Sequence, residues 1–385
     1  MIPYGHQLIT QEDINAVEEV LRSDFLTQGA TVPAFEKAVS AICGAKHGVA
    51  ANSATSALHI ACLALGLGPN DILWTTPNTF VASANCARYC GAEVDFVDID
   101  PLTWNMGVPA LRDKLVAAKR NGRLPKVLIP VHFGGQPTEQ EAIWALAQEY
   151  GFKIIEDASH AVGASRNGEP AGSCRWSHIT VFSFHPVKII TTGEGGLALT
   201  NDDEIAARMA LLRSHGITRD ASLMERTPNG PWYYEQIDIG FNYRMTDIQA
   251  ALGKSQLSRL SSLIGQRNTL AVRYDRLLAD LPLQLPTIAP GNRSAFHLYA
   301  VCMSDKTSRD AHRAAFEFLR AQGIGVNLHY MPVHLQPYYR KLGFGPGMFP
   351  EAERYAKRTI SLPMYVGLTE QQQDFVAQMM HKALA

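Results

Sequence analysis

The sequence predicts an α/β protein: a three-layer, mostly parallel sheet with helices on both faces, followed by a smaller C-terminal α+β domain. Two observations carry this. From about residue 45 to 200, short apolar runs rich in β-branched residues alternate with amphipathic helical stretches, as in a sheet buried on both sides. At 385 residues the chain is also too long for one compact core, so it divides into a large unit, 1–255, and a small one, 256–385.

The elements follow in order. In "TQEDINAVEEVLR", Thr10 with Asp13 three residues later is a capping-box opening, and Ile14, Val17 and Leu21 then recur at helical spacing. The expected strands are "HGVAA", "DILWTT", "VDFVDI", "KVLIPVHF", "FKIIED", "ITVFSF" and "GGLALT". Between them lie the helical stretches "SATSALHIACLAL", "TFVASANCARYC", "VPALRDKLVAAK" and "TEQEAIWALAQEY". Residues 216–240 are a long polar and aromatic connection, and loops of that length usually carry function. One long helix is expected over about 246–281. A strand ("HLYAVCM"), a helix ("SRDAHRAAFEFLRAQ"), an extended piece ("IGVNLHYMP") and a last helix ("TEQQQDFVAQMMHKAL") complete the small domain.

Composition narrows the function classes. Hydrophobic residues make up 46% and charged residues 18%, ordinary for a soluble enzyme. A net charge of −1 gives no field for nucleic acid or an anionic membrane, so an anionic ligand has to be held by local groups. No apolar stretch is long enough to span a bilayer, and the start has no basic end followed by an apolar block; the expectation is a cytoplasmic protein. The six cysteines form no CxxC pair, which favours buried reduced thiols over metal or disulfide chemistry.

The chemistry concentrates at strand ends, where ligands of such sheets bind. Lys188 stands between Val187 and Ile189 with no acidic residue within five positions, ahead of the glycine-rich "TTGEGG". Most lysines are solvated, but a desolvated one can attack a carbonyl. Asp157 ends "FKIIED"; alone it reads as a helix N-cap. "NSATS" leads from a strand into a helix through small residues, and the free N–H groups of the new helix at Ala54, Thr55 and Ser56 suit a phosphate. Phe80 opens the next helix, a position more often core than a stacking platform. Together an amine, a carboxylate, a phosphate cradle including Ser183, and an aromatic face match the needs of pyridoxal 5'-phosphate.

The segments "NSATSALH", "EDASHAVGA", "VFSFHPVKIITTGEGG" and "GFNYRMTDIQAALG" occur in this order, and with them the chain resembles the nucleotide-sugar aminotransferases among the fold-type I pyridoxal phosphate enzymes. The resemblance implies that Lys188 forms the imine and moves the proton, and that Asp157 pairs with the pyridine nitrogen. It puts Ala54, Thr55 and Ser183 on the cofactor phosphate, and Phe80 and His160 against the ring. It also implies a homodimer with shared sites, in which Asn242 of "GFNYRM" reaches the neighbouring subunit's phosphate. "IPYG…RSDFLTQG" and "LHYMPVHLQPYYRKLGF" resemble the branch that aminates C4 of a UDP-sugar in pseudaminic acid biosynthesis, with L-glutamate as donor. Tyr4, Asp24, Phe25, Leu26, Thr27, Asn327, Leu328, His329 and Tyr330 would then line the sugar-nucleotide site, with Asn327 where this branch often has glutamine. Ala54, Ser183 and Asn242 would border the same site.

Three rivals follow. A sibling enzyme would aminate another keto-sugar, at C3 or C4, on UDP, dTDP or GDP. Relatives with histidine in place of the lysine are sugar dehydratases, and Lys188 argues for transamination. A non-catalytic protein of the same fold would be expected to lack Lys188 or Asp157, and both are present.

Overall fold

The computed structural model describes residues 1–304 and 306–384. Among them a seven-stranded sheet forms from β1 (His47–Ala51), β2 (Ile72–Thr75), β3 (Glu93–Phe96), β4 (Val127–Ile129), β5 (Lys153–Asp157), β6 (Ile179–Ser183) and β7 (Gly196–Thr200), in the order β1-β7-β6-β5-β4-β2-β3. The β2–β3, β2–β4, β4–β5 and β5–β6 pairs are parallel. Strand β7 pairs antiparallel with both β1 and β6, so it runs opposite to the other six. The carboxyl ends of those six open on one side.

Side-chain alternation divides the sheet between two faces. Val181 and Ala198 pack with Leu58 and Ile60 of α3 (Ala54–Ala64) and with Cys86 and Ala87 of α4 (Ala82–Tyr89). Their neighbours Phe182, Leu197 and Leu199 pack on the other face with Phe35, Leu257 and Leu260. Helix α3 is buried on nearly all sides, which fits its "ALHIAC" run. At the start of β7, a Cβ on Gly196 would lie 2.4 Å from the Ala54 backbone nitrogen. Only glycine lets this strand approach the first turn of α3 so closely.

The N-terminal helix α1 (Gln11–Leu21) departs from the expected burial. Ile14 and Leu21 are exposed, and the buried positions are Asp13 and Val20. The cause is polar. Asp13 accepts from Arg259 (2.8 Å), Ser255 Oγ (2.7 Å), Gln256 Nε2 (3.2 Å) and the Thr10 N–H (3.0 Å), which turns this face of α1 towards α8 (Asp247–Leu257). The same arginine explains a second departure. The helix expected over 246–281 is two, α8 and α9 (Leu260–Leu277), parted at Ser258 and Arg259, where Arg259 turns to Asp13 and to Thr10 Oγ1 at 2.6 Å.

In the C-terminal half, strands β8 (Leu283–Gln284), β9 (Tyr299–Met303) and β10 (Thr359–Leu362) form an antiparallel sheet with β9 in the middle. The helices expected over "SRDAHRAAFEFLRAQ" and the C-terminal stretch form as Arg309–Ala321 and Glu370–Leu384. The extended piece 324–332 makes no strand; it touches neighbours by single bridges, Ile2 to Ile324 and Asn327 to Ser361. Leu298, Ala300, Cys302 and Tyr355 share a core with Phe96 and Ile129, so the main core continues into this half. Among the described residues no helix is long and apolar enough to cross a membrane.

Burial alone would raise the Asp13 carboxyl, but hydrogen bonds from Arg259, Ser255, Thr10 and Gln256 outweigh it and hold the group below the usual range. A depressed folded value means that this stabilisation is present above the unfolded pKa and is lost as pH falls through the folded one. Asp13→Asn should therefore cost about 3 kcal/mol at neutral pH, because Arg259 loses its partner, and should flatten the acid limb of the stability profile. Urea titrations of both chains between pH 3 and 7 check this.

Candidate active site

A cavity of about 1010 Å³ opens at the carboxyl ends of the strands. It gathers Lys188, Asp157, Ala54, Thr55, Ser183, Phe80, His160, Tyr4 and Asn327–Tyr330 from segments far apart in the chain. Asp24, Phe25, Leu26, Thr27 and Asn242 do not line it. The first four are exposed and tied to the start of α8, where Thr27 bridges Thr246 and the Asp247 N–H donates to Leu26 O at 3.0 Å. Asn242 is exposed beside Asn52, with Tyr243 O accepting the Asn52 N–H at 2.8 Å.

Strand alternation separates the two carboxylates at the end of β5. Glu156 turns into the core, where Thr180 Oγ1 (2.7 Å), Ser177 Oγ (3.1 Å) and Gln140 donate to it. Asp157 turns to the cavity. No helix begins after it, so it is not an N-cap: Oδ1 takes the Ser159 N–H at 3.1 Å in a tight turn, and Oδ2 takes the Ser83 hydroxyl at 2.6 Å. Ser83 is on α4, one turn beyond Phe80, and Thr79 Oγ1 lies 2.8 Å from its hydroxyl. Phe80 is exposed, contrary to the core position usual for such an aromatic, and its ring lies 6.4 Å from that of Tyr330.

Helix α3 begins at the cavity. Its N-cap Ser53 takes the Ser56 N–H at 3.1 Å, while the N–H groups of Ala54 and Thr55 find no acceptor among the described residues. Two free donors at a helix N-terminus, held by the close approach of Gly196, form an anion cradle. Ser183, at the end of β6, adds a hydroxyl.

Lys188 sits in the loop after β6, and its N–H donates to His185 O at 2.9 Å. Burial pushes its amine down to about 8, against a smaller upward pull from Asp157. His160 accepts the Gly134 N–H at Nδ1 (3.3 Å), which leaves Nε2 to donate to Tyr330 Oη at 3.0 Å. His329 is held through Nδ1 by Ser361 Oγ at 2.8 Å, and its carbonyl accepts from Tyr355 Oη at 2.9 Å. Burial, and then Lys188, hold His160 well below the usual range and bring His329 down to about 4. Both rings are neutral at pH 7. Tyr4 lies over His329 with ring centres 5.5 Å apart.

Several lining residues escaped the sequence reading: His297, Thr79, Ser159, Glu194 and Gln249. His297 stands just before the apolar strand "LYAVCM", with no motif around it. Ser83 carried a weak signal, its helical spacing from Phe80.

These residues fit pyridoxal phosphate: a weakly basic amine for its aldehyde, a carboxylate for its ring nitrogen, free N–H groups for its phosphate, and an exposed aromatic ring at the same cavity. Fold and site together define a pyridoxal-phosphate-dependent sugar aminotransferase of fold type I. The chain belongs to the DegT/DnrJ/EryC1/StrS aminotransferase family, whose model matches residues 7–381. It is 39% identical over 378 residues to the spore coat polysaccharide biosynthesis protein SpsC of Bacillus subtilis, covering 97% of this chain and 95% of that protein. It is 36% identical over 377 residues to the UDP-4-amino-4,6-dideoxy-N-acetyl-beta-L-altrosamine transaminase of Campylobacter jejuni, covering 98% and 96%. Among solved structures, Helicobacter pylori PseC, an aminotransferase involved in the biosynthesis of pseudoaminic acid, superposes with a TM-score of 0.89 at 31% identity, covering 100% of this chain and 99% of that one.

An amine held near 8 is roughly one-tenth un-ionised at pH 7, against well under one-thousandth for an ordinary lysine. Cofactor uptake by the apo-chain should therefore rise with pH to a midpoint near 8 and then level off. Stopped-flow absorbance between pH 6 and 10 checks the midpoint.

Proposed function

We propose that this chain moves the amino group of L-glutamate to C4 of UDP-2-acetamido-2,6-dideoxy-β-L-arabino-hex-4-ulose, in pseudaminic acid biosynthesis, as a cytoplasmic homodimer with shared sites. The observation that carries this reading is one cavity in which the Lys188–Asp157 pair faces a second wall built from Tyr4 and Asn327–Tyr330. A volume of about 1010 Å³ leaves room for a sugar nucleotide beside a cofactor.

When bound, pyridoxal phosphate would supply a carrier for the amino group and a ring that takes up the electrons left on carbon when a proton is removed. The chain's own residues do the rest. Lys188, un-ionised for part of the time at neutral pH, takes the proton from the donor's α-carbon and later returns one to C4 from a single face, which sets the configuration of the new amine. Asp157, fixed by Ser83 and Ser159, keeps the ring nitrogen protonated. Ala54, Thr55 and Ser183 hold the phosphate, and Phe80 and His160 confine the ring. Tyr4, Asn327, His329 and Tyr330 offer neutral hydrogen-bonding groups and aromatic faces to the sugar and base.

The shared site is supported by what the single chain leaves exposed. Phe25 (62%), Ile239 (78%) and Trp232 (70%) are apolar and uncovered, and Asn242 stands outside its own chain's cavity. A two-fold partner would cover the first three and bring Asn242, with the Asp24–Thr27 stretch, to the neighbouring cavity. Mixing inactive Lys188→Ala chains with inactive Asn242→Ala chains should then restore part of the activity, because each heterodimer keeps one site with neither lesion. No recovery after mass spectrometry has verified subunit exchange would refute sharing.

A sibling reading, amination of another keto-sugar nucleotide, draws on the likeness to SpsC, a spore coat polysaccharide biosynthesis protein. The two are separated by offering the L-arabino and D-xylo 4-keto isomers in parallel with L-glutamate, and assigning the product amine by NMR. Preference for the L-arabino isomer with amination at C4 is the expected result. Preference for the D-xylo isomer, or amination at C3, would favour the sibling.

A further inference from the structure

The cavity holds one close neighbour of Lys188 for which the transamination described above has no use. His297 Nε2 lies 3.5 Å from Lys188 Nζ, long for a hydrogen bond and within reach of a small side-chain adjustment. The histidine is 5% exposed, and its ring centre is 4.5 Å from that of His160. The backbone around it is fixed by three hydrogen bonds, from two sides. The Ala295 N–H donates to Gly135 O (2.9 Å) and the Leu298 N–H to Gly134 O (3.2 Å). From the opposite side the buried guanidinium of Arg267 donates to Phe296 O at 3.0 Å. Gly135 has φ +105, and a Cβ there would meet Phe296 N at 2.8 Å and His297 N at 3.0 Å, so the two loops close only on glycine.

The ring in this place stays neutral. Nε2 faces the Lys188 amine and Nδ1 is buried with no partner among the described residues. An imidazolium facing an ammonium would therefore lack an acceptor at both nitrogens, whereas a neutral ring accepting at Nε2 leaves a single N–H, on Nδ1, without one. Burial first, and then the positive charges of Lys188 and Arg267 nearby, hold His297 well below the usual histidine range. An ammonium carries donors only, so when Lys188 is protonated the atom facing it has to accept.

We propose that His297 is the positioning residue for Lys188: while the amine is free of the cofactor, His297 Nε2 accepts its hydrogen bond, aims it into the cavity, and leaves the proton on Lys188. The proton balance is simple. In each half-reaction the amine takes one proton from the carbon that gives up the amino group and becomes an ammonium. It returns that proton within the same half to the carbon that receives the amino group; His297 receives none of it. A neighbour that took the proton away would leave Lys188 without the acid that completes each half. This inference rests on Lys188 being the cofactor lysine.

The test compares His297→Phe, which keeps a flat buried ring without an acceptor, with His297→Gln, which keeps an acceptor oxygen. In the apo-chain, His297→Phe should lower the pH midpoint of pyridoxal phosphate uptake by about 1, because the ammonium loses its acceptor, while His297→Gln should keep it. In the holoenzyme, exchange of the α-hydrogen of L-glutamate with solvent, read by NMR, should slow about 10- to 100-fold in His297→Phe without a change in glutamate KM. His297→Gln should recover to within about threefold. An unchanged midpoint in His297→Phe, or His297→Gln as slow as His297→Phe, would overturn the proposal. Should His297→Phe fail to fold, His297→Gln decides alone: a retained midpoint and rate support the proposal, and loss of either with cofactor still bound overturns it. A parent chain that forms no covalent link with pyridoxal phosphate would instead defeat the aminotransferase reading itself.

Discussion

The amine of Lys188 has to be two things at once, accessible to a ligand and poorly solvated. Water solves the first and defeats the second, since a hydrated ammonium keeps its proton at any physiological pH. The structure meets both conditions by setting the amine in a cavity at the end of β6 whose nearest polar neighbours are neutral rings. His160, His297 and His329 offer polarity without charge, because burial keeps each of them un-ionised at pH 7. Asp157 is close enough to pull the amine upward slightly, yet its oxygens are engaged by Ser83 and Ser159. A direct ion pair with that carboxylate would hold the amine charged and spoil both groups.

The reversed strand β7 serves this arrangement. It separates β1 from β6, and its entry at Gly196 brings the first turn of α3 against the sheet. The unpaired N–H groups of Ala54 and Thr55 therefore face the same cavity as Lys188, although more than 130 residues separate them in sequence. A larger residue at 196 would push α3 outward and part the cradle from the amine. Arg267 and Gly135 do comparable work on the other flank, where a buried guanidinium and a tight glycine turn bring the 295–298 segment in beside His160.

What the sequence disclosed and what it hid follow from the range of the interactions. The strands and helices between 45 and 200 were legible because their periodicity is local. The cavity residues at strand ends were legible for the same reason, since Asp157 and Lys188 sit where an apolar run stops. Helix α1 misled, because Asp13 is buried by partners some 240 residues away and overrides the apolar stripe of Ile14 and Leu21. The break before α9 depends on the same long-range pair, Arg259 with Asp13. The 324–332 stretch has β-like composition, yet it meets Ser361 on one side and the N-terminal segment on the other through single bridges, too few to make a ladder. His297 was invisible because its significance lies in which loop it is bound to.

The wall at Asn327–Tyr330 hangs from contacts separate from those that fix Lys188. The Asn327 backbone exchanges hydrogen bonds with Ser361 (3.2 and 2.8 Å), His329 rests on Ser361 Oγ and Tyr355, and the Tyr330 N–H donates to Asn78 Oδ1 at 3.2 Å. Lys188, by contrast, is placed by the end of β6 and the turn that follows. One contact joins the two systems, Tyr330 Oη with His160 Nε2 at 3.0 Å. Side-chain changes at 327 and 328 are thus free to alter the shape offered to a substrate while the amine and its carboxylate keep their environment. Tyr330 is different. Replacing it would release His160, and through it the ring that packs on His297. A scaffold arranged this way accommodates new substrates at 327 and 328 and resists change at 329 and 330, where the substrate wall meets the proton-handling groups.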